Sequence, residues 1–395
     1  MELSKRIASI SESLTLAISS KAKAMKAKGI DIIDFGVGEP DFDTPAHIKQ
    51  AAIDAINQGY TKYTSTPGSP ELRQAIAEKL KRDNALEYPA SHIIVSCGAK
   101  HSLFNVILAM CQEGDEVIIP APYWVSYPEM VKAAGAASVF IPTDESTEFK
   151  ITPKMLDDSI SPNSKLLVLN SPSNPTGSVY TPDELAKLAE LILDTDIYVL
   201  SDEIYEALVY DGTVHKSIAS IGPEIKERTI VVNGFSKSYA MTGWRLGYAA
   251  GPKAIIDAAI KLQSHSTSNP CSIAQKAGVA ALKGDQGCVQ AMVVEFNKRR
   301  KRIVEALNAM PGVTCVEPKG AFYALPNISA WFGKEIKGRT ITSSMDFANA
   351  ALEEGHIAIV PGSGFGDDRF VRFSYATSIQ NIEEGMRRMT EMLVG

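Results

Sequence analysis

The chain has 395 residues, 40 Lys and Arg against 46 Asp and Glu, and a formal net charge of −6. Hydrophobic residues make 45% and charged residues 22% of it, ordinary for a folded globular protein, and the acidic balance argues against a nucleic-acid binder. No run of ~18 uncharged apolar residues is present to span a bilayer, and the length leaves room for two domains of ~150–200 residues with a cleft between them.

The N-terminus, Met-Glu-Leu-Ser-Lys-Arg, lacks the apolar core of a secretory leader, so the expected location is the cytoplasm. The first 35 residues mix small, apolar and lysine positions (Ala22, Ala24, Met25, Lys26) and predict a helical lead-in. A turn-rich stretch from Gly36 to Pro45 follows. From about residue 90 short apolar runs recur: Ile93–Val95, Val117–Ile119, Val139–Ile141, Leu166–Leu169, Ile197–Leu200, Ile230–Val232 and Leu246–Ala249. Continuous runs, rather than strict alternation, suit strands buried on both faces. Helical patterns such as Leu103–Met110 and Leu185–Leu193 lie between several of them. The expectation is an α/β fold on a mostly parallel seven-stranded sheet flanked by helices. After roughly residue 290, long amphipathic patterns (Val293–Leu307, Met345–Glu354) and a short strand, Val371–Tyr375, predict a smaller α+β domain. Five cysteines (Cys97, Cys111, Cys271, Cys288, Cys315) are an odd, scattered set and read as free thiols in a reducing compartment.

Ligands of open α/β sheets bind beyond the carboxyl ends of the strands, and five successive strand ends here carry chemistry. They lead into Gly98-Ala99-Lys100, Ala121-Pro122-Tyr123-Trp124, Asn170 to Gly177, Asp202-Glu203-Ile204-Tyr205 and Asn233 to Lys237. Each residue also has an ordinary reading. Most lysines are solvated surface charges, but Lys237 follows a buried strand in Gly-Phe-Ser-Lys-Ser-Tyr, with Arg245 eight positions on. Neutralising an amine at pH 7 from ~10.4 costs about 4.6 kcal/mol, and desolvation with a neighbouring cation reduces that cost. Arg245 is either a phosphate or carboxylate clamp or a salt bridge on a turn. Gly98-Ala99-Lys100 at a helix start could cradle an anion, although many helices simply begin this way. Asp202 is either a helix N-cap or a buried carboxylate awaiting a cation, such as a protonated ring nitrogen. Trp124 could be core or a plate for a planar ring. Asn174-Pro175 could be an ordinary turn or a cis peptide bordering the cleft. Arg372, alternating with apolar neighbours, is paired inside the protein or reserved for an anionic ligand. An imine-forming lysine, a phosphate anchor, an acid for a ring nitrogen, an aromatic plate, an amide with a phenol (Asn174, Tyr205) and a carboxylate-gripping arginine make one inventory. It is what pyridoxal phosphate requires.

The motifs carry a resemblance from residue 3 to the C-terminus. Gly234-Phe235-Ser236-Lys237, Ala240-Met241 and Gly243-Trp244-Arg245-Leu246-Gly247 resemble the lysine signature of class I/II aminotransferases of pyridoxal-phosphate fold type I. Also similar are residues 38–42 (Gly-Glu-Pro-Asp-Phe), 62–64, 122–127, 171–177 and 201–205, and the subgroup resembled is the bacterial and plastid-type aspartate (aspartate/prephenate) aminotransferases. The resemblance implies residues 1–44 as a segment packing with the small domain, 45–288 as the large cofactor-binding domain and 289–395 as the small domain. It implies that Lys237 carries the cofactor and shuttles the substrate proton, and that Asp202 pairs with the ring nitrogen. Asn174 and Tyr205 would bond the ring oxygen, and Trp124 would stack on the ring. Ala99, Lys100, Ser236 and Arg245 would hold the phosphate. Tyr63 would reach the phosphate of a second subunit in a homodimer with shared sites. Gly38 and Arg372 would hold the substrate α-carboxylate, with Trp124 and Asn174 alongside.

For the distal carboxylate, one branch of the family uses a neighbouring subunit's arginine ahead of a Ser-Asn-Pro. Here Ser268-Asn269-Pro270 is present, but residues 263–273 hold no arginine. The other branch uses the lysine of Gly-Gly-Lys, which implies Lys100. Relatives that act on prephenate carry Lys-Pro-Ser where this chain has Ser11-Glu12-Ser13, which counts against prephenate. The expected reaction is transamination between L-aspartate and 2-oxoglutarate. The alternatives are a prephenate or other amino-acid aminotransferase, or a lyase on the same scaffold. A nicotinamide dehydrogenase would need Gly-x-Gly-x-x-Gly after an early strand, and Gly36-Val37-Gly38-Glu39-Pro40-Asp41 lacks the third glycine. A ligand-sensing regulator would need a DNA-binding module ahead of residue 36. The six histidines fall in no metal-ligand spacing.

Overall fold

A computed structural model describes residues 4–11 and 14–394. Its centre is a seven-stranded sheet: β1 (Ile93–Ser96), β2 (Glu116–Ala121), β3 (Ala137–Pro142), β4 (Ser164–Asn170), β5 (Tyr198–Asp202), β6 (Thr229–Gly234) and β7 (Gly247–Ala250). The order across the sheet is β1-β7-β6-β5-β4-β2-β3. All seven strands match the apolar runs of the sequence. The physical reason is visible in β6, where Ile230 and Val232 join one buried cluster and Val231 another on the opposite face. Each such side chain contributes about 1.5–3 kcal/mol when fully buried.

Only β7 runs against its neighbours. Parallel neighbours need a crossover of a dozen or more residues, usually a helix, and the link 235–246 is spent on turns instead. The chain therefore leaves β6 and re-enters β7 at the same edge of the sheet. That reversal places Lys237 and Arg245 together beside the ends of β4 and β5. At Gly247 a Cβ would collide with the amide nitrogen of Ala99, so this position admits only glycine. The close approach seats helix Ala99–Met110 against the start of β7.

The C-terminal part carries a three-stranded antiparallel sheet of β8 (Tyr323–Ala324), β9 (Val360–Pro361) and β10 (Val371–Ser374), with β10 in the middle. Helices Gly287–Asn308, Ser344–Glu353 and Ile379–Val394 accompany it. The N-terminal segment joins this part: Ile33–Asp34 pairs in parallel with Ile357–Ala358, and Ser374 donates to the Phe35 carbonyl at 2.7 Å. The helical lead-in is helix Leu14–Ala27, with the short helix Lys5–Ala8 before it.

A basic run, 298–302, lies in the long helix and bears on nucleic-acid binding. Its central arginines are buried in ion pairs, Arg299 with Asp41 and Glu295, Arg300 with Asp211 and Glu317. They hold the helix to the rest of the fold and offer no free cationic stripe. Among the described residues no helix is long and apolar enough to cross a membrane, and all five cysteines are free.

Candidate active site

A cleft of about 610 Å³ opens where the carboxyl ends of the large sheet face the C-terminal part of the chain. Gly38, Ala99, Lys100, Trp124, Asn174, Asp202, Tyr205, Ser236, Lys237, Arg245 and Arg372 all line it. Tyr63 does not. It is 91% exposed and borders a separate hollow with Tyr60 and Lys62.

Lys237 is half-buried on the floor of the cleft. Its amine donates to the Gly38 carbonyl at 2.5 Å and lies 5.6 Å from the ring centres of both Tyr205 and Phe322. Burial, and then the Arg372 guanidinium, lower its pKa to about 8. Asp202, at the end of β5, is 4% exposed, and no lysine or arginine pairs with it among the described residues. Its carboxylate accepts from the Tyr127 hydroxyl at 2.6 Å and from the Ile204 amide at 3.2 Å. Burial raises its pKa to about 6, with the Tyr127 hydrogen bond opposing. The N-cap reading of Asp202 does not hold, because a turn rather than a helix follows β5.

Arg372, in the central strand of the small sheet, is 2% exposed. It donates to Asn174 Oδ1 at 2.9 Å and to the Gly36 carbonyl at 2.8 Å, and it meets no carboxylate among the described residues. Its Nε is buried without a partner. With Asn174 Oδ1 so engaged, the amide's Nδ2 remains as a donor. The Asn174–Pro175 peptide is cis. Tyr205 shares a 2.7 Å hydrogen bond with Tyr323.

Gly98 starts the helix Ala99–Met110 with φ 90°, and no side chain caps it. Its first N–H groups are left free, an anion site in geometry and dipole. A Cβ at Gly98 would lie 2.5 Å from Arg245 Nη2, so the bare backbone is what admits the guanidinium. Arg245 is held there through the Thr242 carbonyl at 2.9 Å. Lys100 lies over Trp124 with its amine 4.8 Å from the ring centre. Partial burial and the nearby Arg245 lower its pKa. Trp124 in turn packs edge-on against Tyr127.

The family model for aminotransferase class I and II matches residues 30–389. The chain belongs to the class I and II aminotransferases. It is 50% identical to an aspartate aminotransferase of Geobacillus stearothermophilus over 390 residues, 98% of each chain. It is 47% identical to an aspartate/prephenate aminotransferase of Nitrosomonas europaea over 396 residues, the full length of both. Among solved structures, that of the aspartate aminotransferase of Thermus thermophilus with maleate superposes with a TM-score of 0.94 at 41% identity, covering both chains fully.

Three residues of this aminotransferase's cleft escape a motif-by-motif reading. Tyr127 stands three positions after Trp124, a helical turn that brings its hydroxyl to Asp202. Its signal was its place inside the 122–127 motif. Asn170 closes β4 and supports Asn174, accepting from its backbone N–H at 2.8 Å. Tyr323 comes from β8, and nothing local in the sequence ties it to Tyr205. A separate, partly buried group, Glu203, Glu206 and His215, brings potential metal-ligand atoms within 4.8 Å of one another. Its carboxylates are already engaged, Glu203 by Ser201, Ser217 and His215, Glu206 by Lys79 and Asn84. It reads as a structural network.

Proposed function

We propose that this aminotransferase moves the amino group of L-aspartate to 2-oxoglutarate, giving oxaloacetate and L-glutamate in two half-reactions at one site, with pyridoxal phosphate as cofactor. The observation that carries this is the Lys237 amine, with its lowered pKa, set between the unpaired buried Asp202 and the unpaired buried Arg372. The donor set fits the cofactor. Free N–H groups at Ala99 and Lys100, the Ser236 hydroxyl and Arg245 suit a phosphate. The buried carboxylate of Asp202, which no lysine or arginine pairs among the described residues, suits a protonated ring nitrogen. Trp124 offers a face, while Asn174 Nδ2 and the Tyr205 hydroxyl suit the ring oxygen.

When bound, pyridoxal phosphate supplies a carbonyl carbon for the amino group and a ring that accepts the electron pair left at Cα. The chain's own residues do the rest. Arg372 and the Gly38 backbone hold the α-carboxylate, which fixes Cα above Lys237. The Lys237 amine would take the Cα proton and hand it on within the cleft, a transfer that needs the neutral amine. Lys100, beside Trp124, holds the distal carboxylate. The names of the relatives favour aspartate. Against prephenate, Ser11 offers no cation, and its backbone N–H is bound to the Glu129 carboxylate at 2.8 Å. Glu12 and Ser13 lie outside the described residues.

Protein supplied with pyridoxal phosphate is expected to be yellow, to bleach with L-aspartate alone and to regain colour with 2-oxoglutarate. A yellow protein bleached only by some other amino acid would replace the substrate. One that stays colourless with the cofactor would overturn the reading.

The exposed Tyr63 supports a homodimer, its phenol reaching the phosphate end of the other subunit's site. Light scattering should give about twice the 42.6 kDa chain mass, and a fully active monomer would refute this. Free thiols suit a reducing compartment, and we assign the protein to the cytoplasm.

A further inference from the structure

One cation of the cleft is used by none of these roles. Lys23, on helix Leu14–Ala27, lines the cleft together with Ser19, one helical turn before it. Ile18 and Ala22 bury the adjoining face of that helix against Leu352 and Ala358, which fixes the direction in which Ser19 and Lys23 project. Lys21 is taken by Glu353 at 2.7 Å. Lys23 is exposed, and among the described residues no carboxylate pairs with it. The acids of the cleft are committed elsewhere: Asp202 to Tyr127, and Glu39 to the Thr242 hydroxyl at 2.8 Å.

Resting on the reading above, a ping-pong exchange brings two dicarboxylic acids of different length into one site. Arg372 and Lys237 fix the α-carboxylate and Cα for both. The distal carboxylate of the five-carbon acid must therefore lie one methylene further toward the mouth. Lys100 stands on the helix after β1, near Arg245 and against Trp124, whereas Lys23 reaches the cleft from the N-terminal helix. We propose that Lys23, assisted by the Ser19 hydroxyl, holds the distal carboxylate of the five-carbon partner, while Lys100 holds that of the four-carbon one. The two amines give the site two stops, one for each length.

The test is equilibrium binding of two unreactive dicarboxylates, succinate and glutarate, to the holoenzyme and to its Lys23→Ala, Lys23→Arg and Lys100→Ala variants. Losing a charge-assisted hydrogen bond should weaken glutarate about tenfold in Lys23→Ala while changing succinate less than about twofold. Lys23→Arg should restore most of the glutarate affinity. Equal weakening of both acids, or of neither, overturns the proposal. Lys100→Ala separates the two levels of argument. If it weakens succinate while Lys23→Ala changes nothing, only the role of Lys23 falls. If neither variant affects either acid, the dicarboxylate reading of the site falls with it.

Discussion

Lys237→Ala is expected to lower transamination at least about a thousandfold, from the loss of a positioned general base, worth ~10²–10⁴, and of the amine proposed to carry the cofactor. Lys237→Arg should be as inactive. A guanidinium keeps its proton above pH 12 and cannot take one from Cα at neutral pH. Loss of the fold is not the expected cause. The amine's pKa is lowered from 10.5 to about 8, first by burial and then by Arg372. The unfolded chain therefore binds that proton more tightly, and the charged lysine destabilises the cofactor-free fold below pH 8. This cost is relieved as pH rises from about 8 to 10.5. The cofactor-free alanine variant should accordingly melt no lower than the wild type at pH 7. The same pKa sets a kinetic expectation. About a tenth of the amine is neutral at pH 7 and half at pH 8, so uptake of pyridoxal phosphate should accelerate through about pH 8. An uptake rate flat from pH 6.5 to 9 would contradict this account of Lys237.

Asp202→Asn is the second large effect. The substitution keeps the size of the side chain and an oxygen for the Tyr127 hydroxyl, and removes only the charge. A buried carboxylate and its cationic partner are worth about 3–5 kcal/mol when one of them is lost. The expected fall in kcat/KM is therefore about 10²–10⁴-fold. Tyr127→Phe removes one hydrogen bond to the charge, about 1.5–3 kcal/mol, so its loss should be smaller, about ten- to a hundredfold. The ranking is the sharper test. If Tyr127→Phe were as damaging as Asp202→Asn, the carboxylate would not be acting through its charge. The sign in the cofactor-free protein is the reverse. The pKa of Asp202 is raised to about 6 by burial, so its ionised form costs stability above that pH. The asparagine variant without cofactor should melt higher than the wild type at pH 7, with the difference shrinking as pH falls toward 4.

The gain in cofactor-free stability and the loss of activity have one origin. Lys237 and Asp202 are charges placed where the fold alone does not compensate them. Arg372 belongs with them: burial lowers its pKa, and its Nε has no partner among the described residues. Such uncompensated groups are the features a ligand of opposite charge would satisfy, and strongly perturbed groups in a cleft mark functional sites.

The seven strands and their order of chemistry were legible in the sequence because the inner strands are buried on both faces, while the edge strand β3, with Phe140 45% exposed, still carries a short apolar run. Burial leaves an unbroken apolar run, and the residue that ends the run marks the edge of the sheet. Lys237, Asp202, Asn174 and Trp124 could be singled out on that ground, and the helix start at Gly98 by its glycine. What the chain pattern did not carry was mutual position. That β7 runs antiparallel, and so returns Arg245 to the edge where Lys237 sits, follows from a link with no crossover helix. The Tyr127–Asp202 and Tyr205–Tyr323 hydrogen bonds join residues far apart in the chain, and no local periodicity encodes them. Lys23 is the clearest case. As a sequence it is one of several lysines on an amphipathic helix, any of which would read as solvated. Only the packing of Ile18 and Ala22 against Leu352 and Ala358 turns Lys23 toward the cleft and leaves Lys21 to Glu353. Local composition determined which residues can do the chemistry, because burial and backbone freedom are written residue by residue. The tertiary structure decided which of them meet, because charges and hydrogen bonds act over a few ångströms of space and not along the chain.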